Sequence, residues 1–363
     1  MARRRRSRSP AVASAAPGEA TWRRKVGRAE AAAVRLSLLG LALLLWCDPQ
    51  CPAVSSMWAR GVSAALGQLA GAAAASTAAG AAGAEAPSTA GDGSDGGDIG
   101  ASTGTPEQRL LFALGLSALL CATFWLVNGA LLLAARCGAL ERYRIAVPQP
   151  APAPGLLREC VQDALLGQLV VRPLLIYGAF PLFVGFASMR MDAASLPSCR
   201  SLLLQFLGCM LLDDFLFYWT HRALHHYPLL YKHIHKQHHK FGHTVGLAVE
   251  YAHPVEDLLN AASTMAGPVL FGSHMALVWL YPTIKLTQSI DAHSGYDLPF
   301  PLSIWSAVDA MDCAPAHSFH HSRNTGMYGG YFVFWDRMMG TDASYKAYLA
   351  RGKGGGGSTR KVS

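Results

Sequence analysis

Apolar and polar residues fall into long blocks along this chain. Leu36 to Trp46 is an apolar run of eleven residues behind a basic stretch, 1–33, that carries Ser and Ala but almost no acid. That is the length of a signal or transit h-region, short of the roughly 20 residues a bilayer span requires. Residues 1–50 therefore read as a targeting segment or a signal anchor. Residues 51–107 are mostly Ala, Gly, Ser and Thr, the composition of a disordered linker. Four longer apolar segments follow. Leu110–Ala135, with only Asn128 clearly polar, and Leu258–Ile284, with Gly267-Pro268 and His274 inside, are the strongest span candidates. Pro173–Met189, broken by Pro181, and Leu202–Trp219, carrying Asp213 and Asp214, read as spanning, re-entrant or interfacial.

Leu202 to His226 reads as one long helix. The blocks predict an all-α integral membrane protein, with membrane helices over 108–200, a further helical domain over 201–346 and a flexible tail over 347–363. Composition agrees, because 51% hydrophobic and 15% charged residues are too apolar for an ordinary soluble enzyme. The net charge is +8, and Arg3 to Arg6, Arg8, Arg23, Arg24, Lys25 and Arg28 supply nine positive charges near the start. Beside apolar segments such a run sets topology or targeting, and no nucleic-acid partner is expected. The eight cysteines form no CxxC pair and no short disulfide framework, so they read as reduced thiols.

All fourteen histidines lie between His221 and His321. His221 and His225 are four apart, so a helix places both on one face. His235, His238 and His239 are spaced i, i+3, i+4, and His317, His320 and His321 repeat that spacing. Each triplet can present imidazoles to one or two metals. His253, within Glu250–Glu256, and His293, within Asp291–Asp297, sit among carboxylates and join the candidate ligands, making ten. His226, His233, His243 and His274 fall outside the pattern. Asp214, Glu256, Asp291 and Asp297 are the carboxylates that can hold a ligand imidazole through its other nitrogen. No thiolate lies in the boxes, so iron–sulfur and cysteine-type zinc sites are excluded, and nitrogen donors suit iron, zinc or copper. A structural zinc takes four ligands. Eight to ten donors point instead to an open dinuclear site.

Two boxes precede Leu258–Ile284 and one follows it, yet all must share one side of the membrane. That segment must then cross an even number of times, form a hairpin or lie along the surface, and Gly267-Pro268 is a plausible turn. The basic flanks Arg222, Lys232, Lys236, Lys240, Arg323 and Arg337 put this side in the cytosol. A non-catalytic membrane metal-binding or transport protein is the reading from another class. Transporters place ionisable groups in the membrane plane, whereas nearly all of these histidines lie outside the apolar runs.

Thr220–His226, Tyr231–His239 and Ala316–His321 resemble the three histidine boxes of the fatty acid hydroxylase, or sterol desaturase, superfamily. Tyr331–Asp342, with Phe334-Trp-Asp-Arg337 and Gly340-Thr-Asp342, is similar to its closing motif, and the resemblance covers roughly Asp213 to Tyr345. Glu250–Glu256 and Asp291–Asp297 look most like C-4 methylsterol monooxygenases, although cholesterol side-chain hydroxylases share a similar second motif. The family's third box usually carries an acid where Ser318 stands here.

The resemblance implies a transmembrane helix bundle capped by a cytosolic histidine-rich helical metal domain, with 201–346 as the catalytic domain. It also implies two iron ions, with zinc as a substitute in a preparation, and reductive activation of O2. Electrons come from NAD(P)H through cytochrome b5 and its reductase. The outcome is hydroxylation of a lipid C–H bond, C-4 methyl oxidation in sterol biosynthesis. The alternative enzyme reading is a hydroxylase or desaturase of another lipid: a sterol side chain, fatty acyl, sphingoid or carotenoid. Arg360-Lys361 near the end resembles a retrieval signal of multi-pass endoplasmic reticulum membrane proteins, while the basic N-terminal segment allows a plastid membrane.

Overall fold

Thr105 begins the first described helix of the computed structural model, which describes residues 104–271, 274–300, 302–307, 311 and 313–353. The expected targeting segment, nearly all of the linker, the tail beyond Lys353 and its dibasic pair lie outside the described residues. Thr105 and Gln108 form a reciprocal capping box and Pro106 takes the first turn, where its missing N–H costs nothing. The helix they start, α1 (Pro106–Arg136), covers the first predicted apolar segment.

A second helix, α2, runs from Pro154 to Phe186. It was expected to be shorter and broken at Pro181. Instead it widens into π turns at Gly167–Val171 and Leu182–Phe186, beside Arg172-Pro173 and Pro181. A proline removes one ladder hydrogen bond, and a wider turn lets the helix continue past it. Ser198 then caps α3 (Cys199–His226) by accepting from the Ser201 N–H at 3.2 Å, so the predicted long helix carrying the first box forms. By length and apolarity α1, α2 and α3 are the described helices able to cross a membrane.

Leu258–Ile284 is not one span. The chain breaks between α4 (Pro254–Leu270) and α5 (Met275–His293), so the turn comes a few residues after Gly267-Pro268. His274 fixes this tip. Its Nδ1 accepts from the Ala276 N–H at 3.1 Å, its Nε2 lies 3.0 Å from the Asp192 carbonyl, and the Met275 N–H donates to the Arg190 carbonyl. Gly267 serves packing instead of turning, since a Cβ there would stand 2.6 Å from the Cys209 Cα. Its absence lets α4 lie close against α3, as small residues do between membrane helices.

The hairpin answers the topological requirement. Phe112 near the start of α1 packs with Phe180 and Phe183 near the end of α2 and Val278 near the start of α5. Phe124 farther along α1 packs with Cys160 near the start of α2 and Ile290 near the end of α5. The five helices therefore run up, down, up, down and up, returning the end of α5 to the level where α3 ends. Beyond it lie α6 (Cys313–Arg323), α7 (Phe334–Met339) and α8 (Ala343–Lys353). Among the described residues the only β pairing is a single bridge between Arg144 and Tyr296, and Cys121, Cys137, Cys160, Cys199 and Cys209 are free thiols.

Candidate metal centre

Nine of the ten candidate histidines meet where α3, α5 and α6 end together. They form two groups: His221, His225, His235, His239 and His320, and then His238, His293, His317 and His321. Within each group one ring nitrogen per histidine lies within 4.8 Å of all the others. Each triplet divides between the groups, because its i, i+4 pair shares one face while the third ring points aside. The second box is not α-helical: His235 ends a π turn and His238 and His239 open a 3-10 turn, an arrangement that still brings the His235 and His239 rings together. The groups abut, with the His239 and His321 rings stacked at 4.6 Å between centroids.

The Nε2 atoms point inward. His239 Nε2 lies 3.0 Å from that of His235 and 3.1 Å from those of His225 and His320. His293 Nε2 is 3.0 Å from His317 and 3.2 Å from His238, and His321 is 3.1 Å from His317. Nitrogens bound to one cation at about 2.1 Å stand about 3.0–3.4 Å apart for bond angles between a right angle and the tetrahedral one. The residues fit a pair of metals in nitrogen-rich sites.

Five of the outward Nδ1 atoms have acceptors, while those of His239 and His321 are buried without one. His221 Nδ1 meets the Tyr328 carbonyl at 3.0 Å, His320 that of Gly326 at 2.7 Å, His293 that of Ser289 at 2.8 Å and His238 that of Tyr251 at 3.3 Å. His235 Nδ1 meets Glu256 Oε1 at 2.7 Å. A carbonyl can only accept, so each such contact holds the proton on Nδ1 and leaves the Nε2 lone pair free for a metal. Burial pushes His238 down to about 4, and pushes His293 down to about 3 with help from neighbouring His238. Burial first, then neighbouring imidazoles, also holds His235, His239, His317 and His321 well below the usual range. Neutral imidazole is the form that binds metal. Burial raises Glu256 to about 9, and a cation bound nearby would draw it back to the carboxylate.

Other expected positions differ. His253 joins neither group. It is the N-cap of α4, where its Nδ1 accepts from the Val255 N–H at 3.2 Å, the role its place before Pro254 allows. Asp214 touches no imidazole: its Oδ1 accepts from the backbone N–H groups of Gly330, Tyr331 and Phe332 at 3.2, 2.6 and 3.1 Å. Asp213 links helices, accepting from the Tyr281 hydroxyl at 2.7 Å and facing Lys285 Nζ at 3.7 Å. Asp291 accepts from the Ser303 hydroxyl at 2.7 Å, while the imidazole of His293 turns to Ser289. Asp297 donates its backbone N–H to the Tyr143 carbonyl at 2.8 Å. Glu256 holds a clustered imidazole, that of His235. Ser318 is fully buried against the Thr244 hydroxyl at 2.9 Å. His226 and His233 are exposed and His243 half-buried, outside both groups as expected.

The loop from Gly326 to Phe332 was missed as a part of the site. It supplies carbonyls to His221 and His320 and is gripped from two sides. Asp214 holds Gly330 to Phe332, and Asp336 accepts from the Tyr328 and Gly329 N–H groups, each at 2.8 Å. Thr341 donates its hydroxyl to Asp336 Oδ1 at 2.6 Å. The signal was the closing motif itself, whose acid lies in Phe334-Trp-Asp-Arg337.

Comparison with known proteins agrees with this geometry. Residues 206–341 match the family model described as fatty acid hydroxylase. Methylsterol monooxygenase 1 of Danio rerio is 37% identical over 196 residues, 54% of this chain and 66% of the relative. That of Rattus norvegicus is 35% identical over 214 residues, 59% of this chain and 71% of the relative. Very-long-chain aldehyde decarbonylase GL1-11 of Oryza sativa subsp. indica is 34% identical over 226 residues, 61% of this chain and 82% of the relative. No solved structure matches. The matched span holds both histidine groups and the loop that orients them, and with relatives matched over so much of their length the chain belongs to the fatty acid hydroxylase family.

Proposed function

We propose that this protein is a membrane-bound di-iron oxygenase that oxidises a C-4 methyl group of a sterol precursor, with electrons from NAD(P)H delivered through cytochrome b5 and its reductase. The observation that carries the reading is the convergence of nine imidazoles in two abutting groups at the end of the membrane-capable helix α3. The methylsterol monooxygenase relatives support the substrate class. His221, His225, His235, His239 and His320 would hold one metal, and His238, His293, His317 and His321 the other. Bound iron supplies the reduction of O2 that inserts oxygen into an unactivated C–H bond.

The chain's own residues prepare the site. Carbonyls of Ser289, Gly326, Tyr328 and Tyr251 keep protons on outward nitrogens, and Glu256 orients His235 while supplying a negative charge. Burial of nearly every ring excludes water, which limits loss of oxidising power to solvent. Lipid-facing apolar side chains on α1 to α3 suit a substrate that arrives from the bilayer. The histidine end faces the cytosol in this reading, supported by the flanking Lys and Arg, and the membrane is that of the endoplasmic reticulum, supported by the Arg360-Lys361 pair.

A second reading, action on another long-chain lipid, is favoured by the aldehyde decarbonylase relative matched over 82% of its length. Expression in cells lacking their own C-4 sterol oxidase separates the two. Loss of accumulated 4-methyl sterols, reversed by His320→Ala, is the expected result. Persistence of those sterols, with another lipid oxidation abolished by His320→Ala, overturns the sterol assignment and leaves the oxygenase standing.

A further inference from the structure

The short helix α7 carries its apolar side chains outward. Phe334 is 56% exposed and Met338 54%, with Arg337 exposed beside them and Met339 38% exposed at the flank, whereas Asp336 is fully buried. A water-facing helix does not gather large apolar residues on its outer face without a partner.

The neighbours of α7 indicate that partner. The membrane-capable helix α3 exposes a continuous stripe of Leu204, Leu207, Leu211, Phe215 and Trp219, at three- and four-residue steps down one side. Trp335 of α7 packs edge-on to Phe215 at 5.2 Å between centroids and stacks on Tyr218 at 6.2 Å. This sets α7 beside the upper part of that stripe. The stripe then ends in a cation, with the Arg222 guanidinium 5.5 Å from the Trp219 ring. Aromatic residues followed by a basic one mark the boundary between hydrocarbon and headgroups. The helix α7 is therefore level with Phe215 and Tyr218, one turn on the apolar side of Arg222.

We propose that the outward face of α7, formed by Phe334, Met338 and Met339, lies in the interfacial layer of the bilayer and is covered by lipid. The loop before this helix lines a small cavity with His317, Gly329, Tyr331, Phe332 and Asp336. On the lipid-oxidising reading, the cavity beside one metal group is then separated from the bilayer by the width of a single short helix. The surface assignment itself does not depend on that reading.

The test is photo-crosslinking of the full-length protein in phosphatidylcholine vesicles. Met338→p-benzoylphenylalanine and, separately, Phe334→p-benzoylphenylalanine are irradiated and the labelled peptides weighed. Lys346→p-benzoylphenylalanine, on an exposed side chain of α8, is the water-facing control. The expected result is a phosphatidylcholine adduct at 338 and 334 and none at 346. A covalent dimer of the chain, or no lipid adduct at either α7 position, overturns the proposal. The readout requires neither metal nor turnover, so its failure is distinct from failure of the oxygenase reading.

Discussion

His235 Nδ1 and Glu256 Oε1 stand 2.7 Å apart with both side chains almost fully buried. They come from different elements, a π turn and the first turn of α4. The pair places an acceptor and a formal negative charge directly behind one imidazole of the five-histidine group. Glu256→Gln keeps an acceptor and removes the charge, so iron affinity should fall by about 10–100-fold with the fold intact. Titration of the chelated protein with ferrous iron, beside a thermal melt, checks this. Unchanged affinity would remove Glu256 from the site.

Asp214 acts on the loop. Asp214→Ala leaves the N–H groups of Gly330, Tyr331 and Phe332 without their acceptor, at about 1–3 kcal/mol for each donor left buried and unpaired. A large loss of thermal stability, together with reduced iron content, is expected. Asp214→Asn retains one carbonyl oxygen and should recover part of both.

His253→Ala separates cap from ligand. Loss of the N-cap should cost about 1 kcal/mol and leave the iron content as it was. His239→Ala, at the centre of the five-histidine group, should lose iron outright. Elemental analysis of the two purified variants decides, and equal iron loss in both would return His253 to the ligand set.

Acid should destabilise the metal-free protein. Burial holds His238 at about 4 and His293 at about 3, while an unfolded imidazole titrates near 6.5. Between those values the unfolded chain binds more protons, so folding stability falls as pH drops below about 6.5. Glu256 has the opposite sign: raised to about 9, its folded-state proton gives stability that is complete below about 4.3 and lost as pH rises towards 9. Asp291, raised by burial to about 6, shares the sign of Glu256, but nine lowered histidines outnumber the raised carboxylates, so melting temperature should be lower at pH 5 than at pH 7 in chelator. No decrease would mean that the rings are hydrated.

Spacing revealed the histidines because an i, i+4 pair must share a helical face whatever surrounds it. The same reasoning misplaced His253, which has neighbours of the right chemistry but sits where a helix needs its first N–H capped. It also misplaced Asp214, since heptad spacing from His221 fixes a stripe but not what faces it. What faces Asp214 is a loop more than 110 residues later, a contact that local periodicity cannot encode. The α4–α5 hairpin was legible as a requirement of topology. Its turn was not, because the Gly267-Pro268 dipeptide that resembles a turn is used for close packing against Cys209.

The division of the histidines between groups has a consequence for biosynthesis. The five-member group needs His320 and the four-member group needs His317 and His321, all on the last helix of the set. A ribosome that has released everything up to His293 has produced six of the nine rings and completed neither nest. Neither group is complete until α6 emerges and docks, so the full donor sets of both form together and not one after the other.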